Sequence, residues 1–180
     1  KIFDRLSAQV AYVMAVYRHR PQTIAALEKM VDAYAEERSS EIGEVGSDCR
    51  IVGARFIREV RIGNGVEIDG ASILENATLC DGARVGVDVK AYDLIAAEGS
   101  VIDNGSIVER CFVGESCRLD KGFTAAESLF FANSHCENGE AASIFAGPYT
   151  VSHHKSSLLI AGMFSFFNAG SGSNQSNHLF

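Results

Sequence analysis

The sequence predicts a helical hairpin followed by a triangular solenoid of parallel β-strands, and three observations carry this prediction. Apolar residues recur with a helical period over residues 1–40. From about residue 45 onward the period changes to six residues. Glycines and other small residues recur within these six-residue units, as a tight corner or a crowded interior requires.

The N-terminal segment, residues 1–40, is predicted to form two helices. It holds two apolar stripes with the 3.6-residue period of a helix. Their members are Phe3, Leu6, Val10, Val13 and Tyr17 in the first, and Ile24, Leu27, Val31 and Tyr34 in the second. Pro21 lies between them and suits the first turn of a helix. The two apolar faces are expected to pack against each other, against the following β-structure or against another subunit.

Residues 41–180 are predicted to form the solenoid. IGNGVE (62–67), LCDGAR (79–84), VGVDVK (85–90) and VGESCR (113–118) each begin with an aliphatic residue. Three such strand-and-corner units close a triangular turn of about 18 residues, and successive turns stack by parallel strand pairing. Residues 101–136 are predicted to continue the six-residue repeat in a single unbroken phase, and ENGEAASIF (137–145) interrupts that phase.

The repeat also predicts which side chains point inward. Aliphatic first positions are predicted inside, namely Ile68, Ile73, Leu79, Val85, Val101, Ile107, Val113 and Leu119. Small fifth positions are predicted inside too, namely Ala77, Ala83, Gly105, Cys111 and Cys117. Gly63, Gly86 and Gly114 are predicted at corners that need backbone freedom. Turn chemistry and solvation explain the recurring acidic residues, Asp120 among them.

Composition argues against several classes of function. The chain carries 16 basic and 23 acidic residues, a net charge of −7, which disfavours nucleic acid or an anionic membrane as a partner. No apolar run reaches the roughly 18 residues of a transmembrane helix. The five cysteines include no C-x-x-C pair, so neither a zinc knuckle nor a disulfide framework is predicted. Free cysteines fit a cytoplasmic setting.

The six-residue pattern resembles the hexapeptide-repeat transferase superfamily over roughly residues 45–170, whose fold is the single-stranded left-handed parallel β-helix. The stretch AGPYTVSHHKSSLLIAGMFSFFNAGSGSNQSNH (146–178) resembles part of a larger bacterial family of hexapeptide proteins, which implies a piece of a longer chain. The resemblance implies an acyltransferase that uses acyl-CoA, such as acetyl-CoA, and acts on a sugar or nucleotide sugar. It also implies a homotrimer.

The resemblance further implies that a histidine acts as the general base, a role that suits imidazole because its ordinary pKa lies near working pH. His153 and His154 in the unit SHHKSS are the predicted bases. Gly172, about one turn later, is the predicted backbone donor to the oxyanion, with Gly162 as another candidate. The alternative is that His153, His154 and Lys155 form a solvated polar corner.

A metal ladder is the competing interpretation of the histidines. With a turn of about 18 residues, Cys117, His135 and His153 would stack on adjacent coils about 4.8 Å apart, and zinc uses such ligands. The phase break after His135 and the inward position of Cys117 argue against it, so no metal is expected. His135 itself is predicted at an inward position, where it either lines a pocket or is a hydrogen-bonded core histidine.

The tail NAGSGSNQSNH (168–178) is rich in small polar residues that could form an anion nest or a flexible coil. The predicted substrate-binding residues are His135, Lys155, Asn168, Ser171, Ser173, Asn174 and His178. Two functions remain open at this point. One is the acyltransferase, and the other is a non-catalytic β-helix module that binds a sugar nucleotide or drives oligomerisation within a larger protein.

Overall fold

A computed structural model of the protein describes residues 1–155, 157–160, 162–164 and 168–176. Two helices, α1 (Ala8–Val16) and α2 (Pro21–Arg38), precede a parallel β-solenoid of about seven turns, which matches the predicted left-handed parallel β-helix. The strands are β1 (Arg50–Val52), β2 (Ile57–Ile62), β3 (Glu67–Asp69), β4 (Ile73–Leu79), β5 (Arg84–Val85), β6 (Lys90–Ala96), β7 (Val101–Ile102), β8 (Ile107–Glu109), β9 (Phe112–Val113), β10 (Arg118–Asp120), β11 (Thr124–Ala126), β12 (Leu129–Phe130), β13 (His135–Glu137), β14 (Glu140–Ala142), β15 (Phe145–Ala146), β16 (Val151–Ser152), β17 (Leu158–Ile160), β18 (Met163–Phe164), β19 (Asn168–Ala169) and β20 (Asn174–Ser176).

The solenoid has three faces, each a stack of parallel strands. Face A runs in the order β1-β3-β5-β7-β10-β13-β16-β19. Faces B and C are continuous, because the long strands β2, β4 and β6 bend around the corner between them. Beyond these, face B continues through β8, β11, β14, β17 and β20, and face C through β9, β12, β15 and β18.

Partners in successive regular coils are 17 residues apart in the chain, as Arg58 and Glu75 are. The prediction of about 18 residues in each turn, three times the six-residue unit, is therefore wrong. One side of the triangle is a five-residue step, as from the start of β8 to the start of β9, and so the single phase predicted for residues 101–136 is also wrong. His135 pairs with Val151, which gives a 16-residue coil and confirms the irregularity predicted at 137–145.

The five-residue step decides which side chains face inward. The small inward residues Ala77, Ala83, Cys111 and Cys117 are confirmed as buried. The prediction for Ile107 is wrong, because its side chain is 39% exposed and the neighbouring Val108 is fully buried instead. Ile73 and Val101 are likewise only half-buried, and the fully buried residues beside them are Leu74 and Ile102.

Large and small side chains alternate inside the coils to fill a nearly constant cross-section. Phe123 and Phe130 are fully buried and meet edge to face, with ring centroids 6.1 Å apart. The small residues Ala125 and Ala141 of face B are buried in the same core cluster as these two rings. Burial of each phenyl group stabilises the fold by about 1.5–3 kcal/mol, and edge-to-face contact is a favoured aromatic geometry.

Gly114 is required by a close approach of two coils rather than by backbone freedom. Its φ does not lie in the left-handed region, but a Cβ at this position would lie 2.7 Å from the carbonyl oxygen of Phe130 in the next coil. Gly63 and Gly86 meet the same restriction, since a Cβ would collide with Asp81 and Asp103 respectively. The prediction that these glycines supply conformational freedom is therefore wrong.

The N-terminal segment up to and including α1 uses the solenoid as its apolar partner. Leu6 and Ala11 pack with Phe112 and Phe131 in one cluster on the outside of face C. α1 begins at Ala8 rather than at the first residue of the predicted stripe. The position predicted for Pro21, in the first turn of α2, is confirmed.

Neither described helix is long and apolar enough to cross a membrane. The division at residue 40 stays a prediction.

The corrected phase can be tested by a pair of substitutions on β8. We expect Val108→Ala to lower the free energy of unfolding by about 1–3 kcal/mol, because it opens a cavity in a fully buried column. Ile107→Ala is the matched control and should cost less than about 1 kcal/mol, because this side chain is exposed. Urea denaturation measures both, and a larger loss for the isoleucine would contradict the assigned phase.

Candidate functional site

Three histidines meet on the outside of the solenoid at the corner that joins face A to face B. His135 lies on β13, and His153 and His154 directly follow β16 in the next coil. The ring centroids of His135 and His153 are 5.7 Å apart, and those of His153 and His154 are 5.9 Å apart. These three residues are called the histidine row below.

His135 faces outward, so the prediction of an inward histidine is wrong. Its side chain is 38% exposed, whereas the next residue, Cys136, is fully buried inside the coil. Its Nε2 lies 2.8 Å from Oε1 of Glu137. When Nε2 carries the proton and donates it to this carboxylate, Nδ1 is left as a free acceptor. Among the described residues, His135 is the member of the row with a carboxylate partner.

Glu137 is the buried anchor of this arrangement, because its side chain is only 9% exposed. Its second oxygen, Oε2, accepts a hydrogen bond from Nζ of Lys121 in the preceding coil. Burial by itself raises the pKa of Glu137, but the bonds from Lys121 and His135 outweigh burial and hold the pKa below its usual range. The carboxylate is therefore ionised and oriented toward His135.

A second buried carboxylate, Asp120, lies in the coil before Glu137. The two residues pair in register, as do Arg118 and His135 on the same strands. Only 2% of the Asp120 side chain is exposed, so the prediction of a solvated turn residue is wrong. Nε of Arg118 donates to it at 2.9 Å, and Nδ2 of Asn104 donates at 2.7 Å.

These contacts set the ionisation of Asp120. Burial raises the pKa of its carboxyl, while the hydrogen bonds from Asn104 and Arg118, joined by the Lys121 backbone N–H, lower it further than burial raises it. Asp120 is therefore a carboxylate whose charge is balanced by the neighbouring guanidinium. Two stacked acidic residues are each neutralised by a cation beside them.

The remaining predicted residues lie close to the row or one coil beyond it. His153, His154 and Lys155 are exposed. Ser171, Gly172 and Ser173 form the next connection at the same corner, because β16 pairs with β19 and β17 with β20. Asn168 pairs in register with Val151, and Asn174 pairs with Leu158 on face B. The carbonyl of Gly162 accepts the Phe145 N–H. His178 lies outside the described residues.

The metal ladder through Cys117, His135 and His153 does not form. Cys117 is buried inside the coil, where its thiol donates to the carbonyl of Phe131 at 3.1 Å. Burial raises the pKa of this thiol to about 11, so the thiolate that a metal needs is disfavoured. Over the ranges that the structure describes, no group of three or more His, Cys, Asp or Glu side chains is arranged to hold a metal ion.

Two cavities lie near the N-terminal segment rather than at the histidine row. One of about 1040 Å³ lies between the end of α2 and the corner of faces B and C, beside Tyr34 and Arg61. The other, of about 490 Å³, lies between Leu6, Phe112 and Pro148. Neither of these two cavities is lined by the row, whose His153 and His154 are exposed to solvent in the single chain.

Sequence reasoning missed the buried carboxylates and the lysine that support the row. Glu137 was assigned to a phase-breaking loop, and Asp120 to a solvated turn. A usable signal was present, because His135 and Glu137 are two residues apart, as are Arg118 and Asp120. Residues at this spacing on a strand face the same side. The correct coil length then stacks the two pairs.

The geometry defines a parallel β-solenoid protein with a helical N-terminal part and a polar site on its outer surface. The chain belongs to the family described as Domain of unknown function (DUF4954), which matches residues 1–180. Comparison with curated proteins and with solved structures gives no match.

The support that Glu137 gives to the site has a pH signature. Because its folded-state pKa is lowered, its ion pairs contribute stability that is complete above the ordinary glutamate pKa of about 4.3 and is lost as the pH falls through the lowered value. We expect Glu137→Gln to lower the free energy of unfolding by about 1–2 kcal/mol at pH 7, and this difference should shrink toward pH 3.

Urea denaturation at a series of pH values measures this difference. Glu140→Gln is the matched control, because that side chain is exposed and its loss should cost less than about 0.5 kcal/mol at every pH. A cost of Glu137→Gln that does not change with pH would contradict the assignment.

Proposed function

We propose that this protein is a hexapeptide-type acyltransferase and that His135 is its general base. The observation that carries the proposal is the pair of His135 with the buried carboxylate of Glu137, 2.8 Å apart on the outside of a parallel β-solenoid. A carboxylate fixes the orientation of an imidazole and stabilises the imidazolium that forms when it takes a proton. Within the histidine row, this pair makes His135 a better base than His153 or His154.

The proposed reaction moves an acyl group from an acyl-CoA, such as acetyl-CoA, to a hydroxyl of a sugar or nucleotide sugar. Nδ1 of His135 takes the proton of the hydroxyl as its oxygen attacks the thioester carbon. The new C–O bond forms, the C–S bond breaks, and the thiolate leaves with the proton returned by the imidazolium. Gly172, which lies two coils after His135 and one coil after His153, remains the proposed backbone donor to the oxyanion.

A homotrimer is part of the same proposal. The histidine row lies on the open surface of one chain, and acyl transfer needs a site that excludes water. The flat faces of a triangular solenoid suit packing around a threefold axis. A neighbouring copy would then provide the second wall of the site.

A non-catalytic module that binds a sugar nucleotide is the second candidate. The openness of the row in one chain favours it, because an open polar surface suffices for binding but not for acyl transfer. The two candidates differ in whether an acyl donor is consumed.

Release of free CoA thiol from acetyl-CoA, with a panel of sugars and nucleotide sugars as acceptors, tests the proposal in the full-length protein. We expect His135→Ala to reduce kcat by about 10²–10⁴-fold, the usual contribution of a general base. Glu137→Gln should reduce kcat less, because the imidazole remains. His19→Ala is the control, since this exposed histidine lies between the two helices and should leave kcat unchanged.

Turnover that is equal in the wild type and in His135→Ala would contradict the assignment of the base. Binding of a nucleotide sugar without consumption of any acyl donor would support the second candidate instead.

A further inference from the structure

We propose that His153, His154 and Lys155 form a binding subsite for a phosphate group, so that the substrate is a phosphorylated small molecule such as a nucleotide sugar rather than a neutral sugar. This inference rests on the proposed function, because it assigns the substrate class of the same site.

The buried carboxylates beside the row are each paired with a cation, in a chain whose net charge is −7. Of the groups beside the row, Asp120 is neutralised by Arg118, and Glu137 by Lys121. Both carboxylates are also largely buried, with 2% and 9% of their side chains exposed, so they present little negative charge to a ligand. Lys155 is then left as an exposed cation next to two exposed imidazoles.

At one position on face A, two successive coils carry an acidic residue and the next coil carries a histidine. Asp120 pairs in register with Glu137 on face A. Cys136 pairs with Ser152, so the residue that follows Ser152, His153, occupies the corresponding place in the next coil. Asn138 fixes the backbone there, because its Nδ2 donates to the carbonyl of His153 at 3.3 Å. The column of carboxylates therefore ends where the exposed histidines begin.

The two exposed rings are neighbours on the surface and can contact the same ligand. The ring centroids of His153 and His154 are 5.9 Å apart, at an interplanar angle of 72°. Neighbouring N–H donors can both bind oxygens of one phosphate group through charge-assisted hydrogen bonds. The ammonium group of Lys155 adds a point charge on a flexible stem, a common mode of phosphate recognition.

The following coil contributes no charge to oppose an anion. Residues 168–176 contain no acidic side chain. Their corner connection carries Ser171 and Ser173, and Gly172 has a left-handed φ of 69°. Turns of this kind can direct backbone N–H groups toward an anion. A phosphate seated on His153 and His154 would thus have imidazole N–H donors and the Lys155 ammonium group in one coil and neutral polar groups in the next.

Inorganic pyrophosphate is the probe, titrated without any acyl donor into the full-length protein. Calorimetry gives Kd, and ¹⁵N-labelled histidine rings report the position of binding by NMR. We expect the ring signals of His153 and His154 to shift, and Lys155→Ala to weaken binding about tenfold. Lys155→Arg keeps the charge and should retain binding. Lys29→Ala and His19→Gln, exposed positions on or beside α2, should leave Kd unchanged.

The proposal is overturned if pyrophosphate does not bind, if Lys155→Ala binds as tightly as wild type, or if a neutral sugar shifts the same ring signals equally. The result also separates this inference from the proposed catalysis. His135→Ala should lose turnover and keep pyrophosphate binding, whereas the double substitution His153→Gln and His154→Gln should lose pyrophosphate binding in the absence of any reaction.

Discussion

The in-register pairing of parallel strands along a 17-residue coil is the constraint on which the rest of the structure depends. Each coil places a residue directly over its counterpart in the coil before, as Arg50, Glu67 and Arg84 show. A shift by one residue would turn an inward column outward, because side chains on a strand alternate between its two sides. The five-residue step between faces B and C therefore decides which side chains form the core and which form the outer columns.

The candidate site is a product of this stacking rather than of any local motif. Arg118 and Asp120 lie over His135 and Glu137. Lys121 bonds to Asp120 through its backbone N–H and to Glu137 through its Nζ, so that two coils bring two cations and two carboxylates into one network. The burial of both carboxylates is tolerated because each accepts hydrogen bonds from a cation. Since the strands that carry these groups are held by their ladders on both sides, the imidazole of His135 is positioned by the rigid part of the fold.

The fold could be predicted from the sequence because a small error in the repeat length does not change the architecture that the repeat implies. A strict six-residue repeat and the observed coil with its five-residue step both imply stacked short strands, and small residues such as Ala83 and Cys117 are needed inside in either case. Side-chain direction is less tolerant. One missing residue per coil moved Ile107 to the surface and His135 out of the core. Partners from adjacent coils, such as Lys121 for Glu137, require the true register, which one sequence with imperfect repeats does not specify.

The charges of the corner follow from the same register. An acidic residue occupies the last position of β10 and of β13, and a cation beside each makes its burial possible. One coil later the corresponding place belongs to His153, and the shortened coil that precedes it brings its ring to 5.7 Å from His135. A coil of the regular length would have placed His154 there instead, because the register would advance by one more residue. The shortened coil thus joins a carboxylate-supported imidazole to the exposed corner that carries His153, His154 and Lys155, which is the combination that a base and an anionic substrate would need.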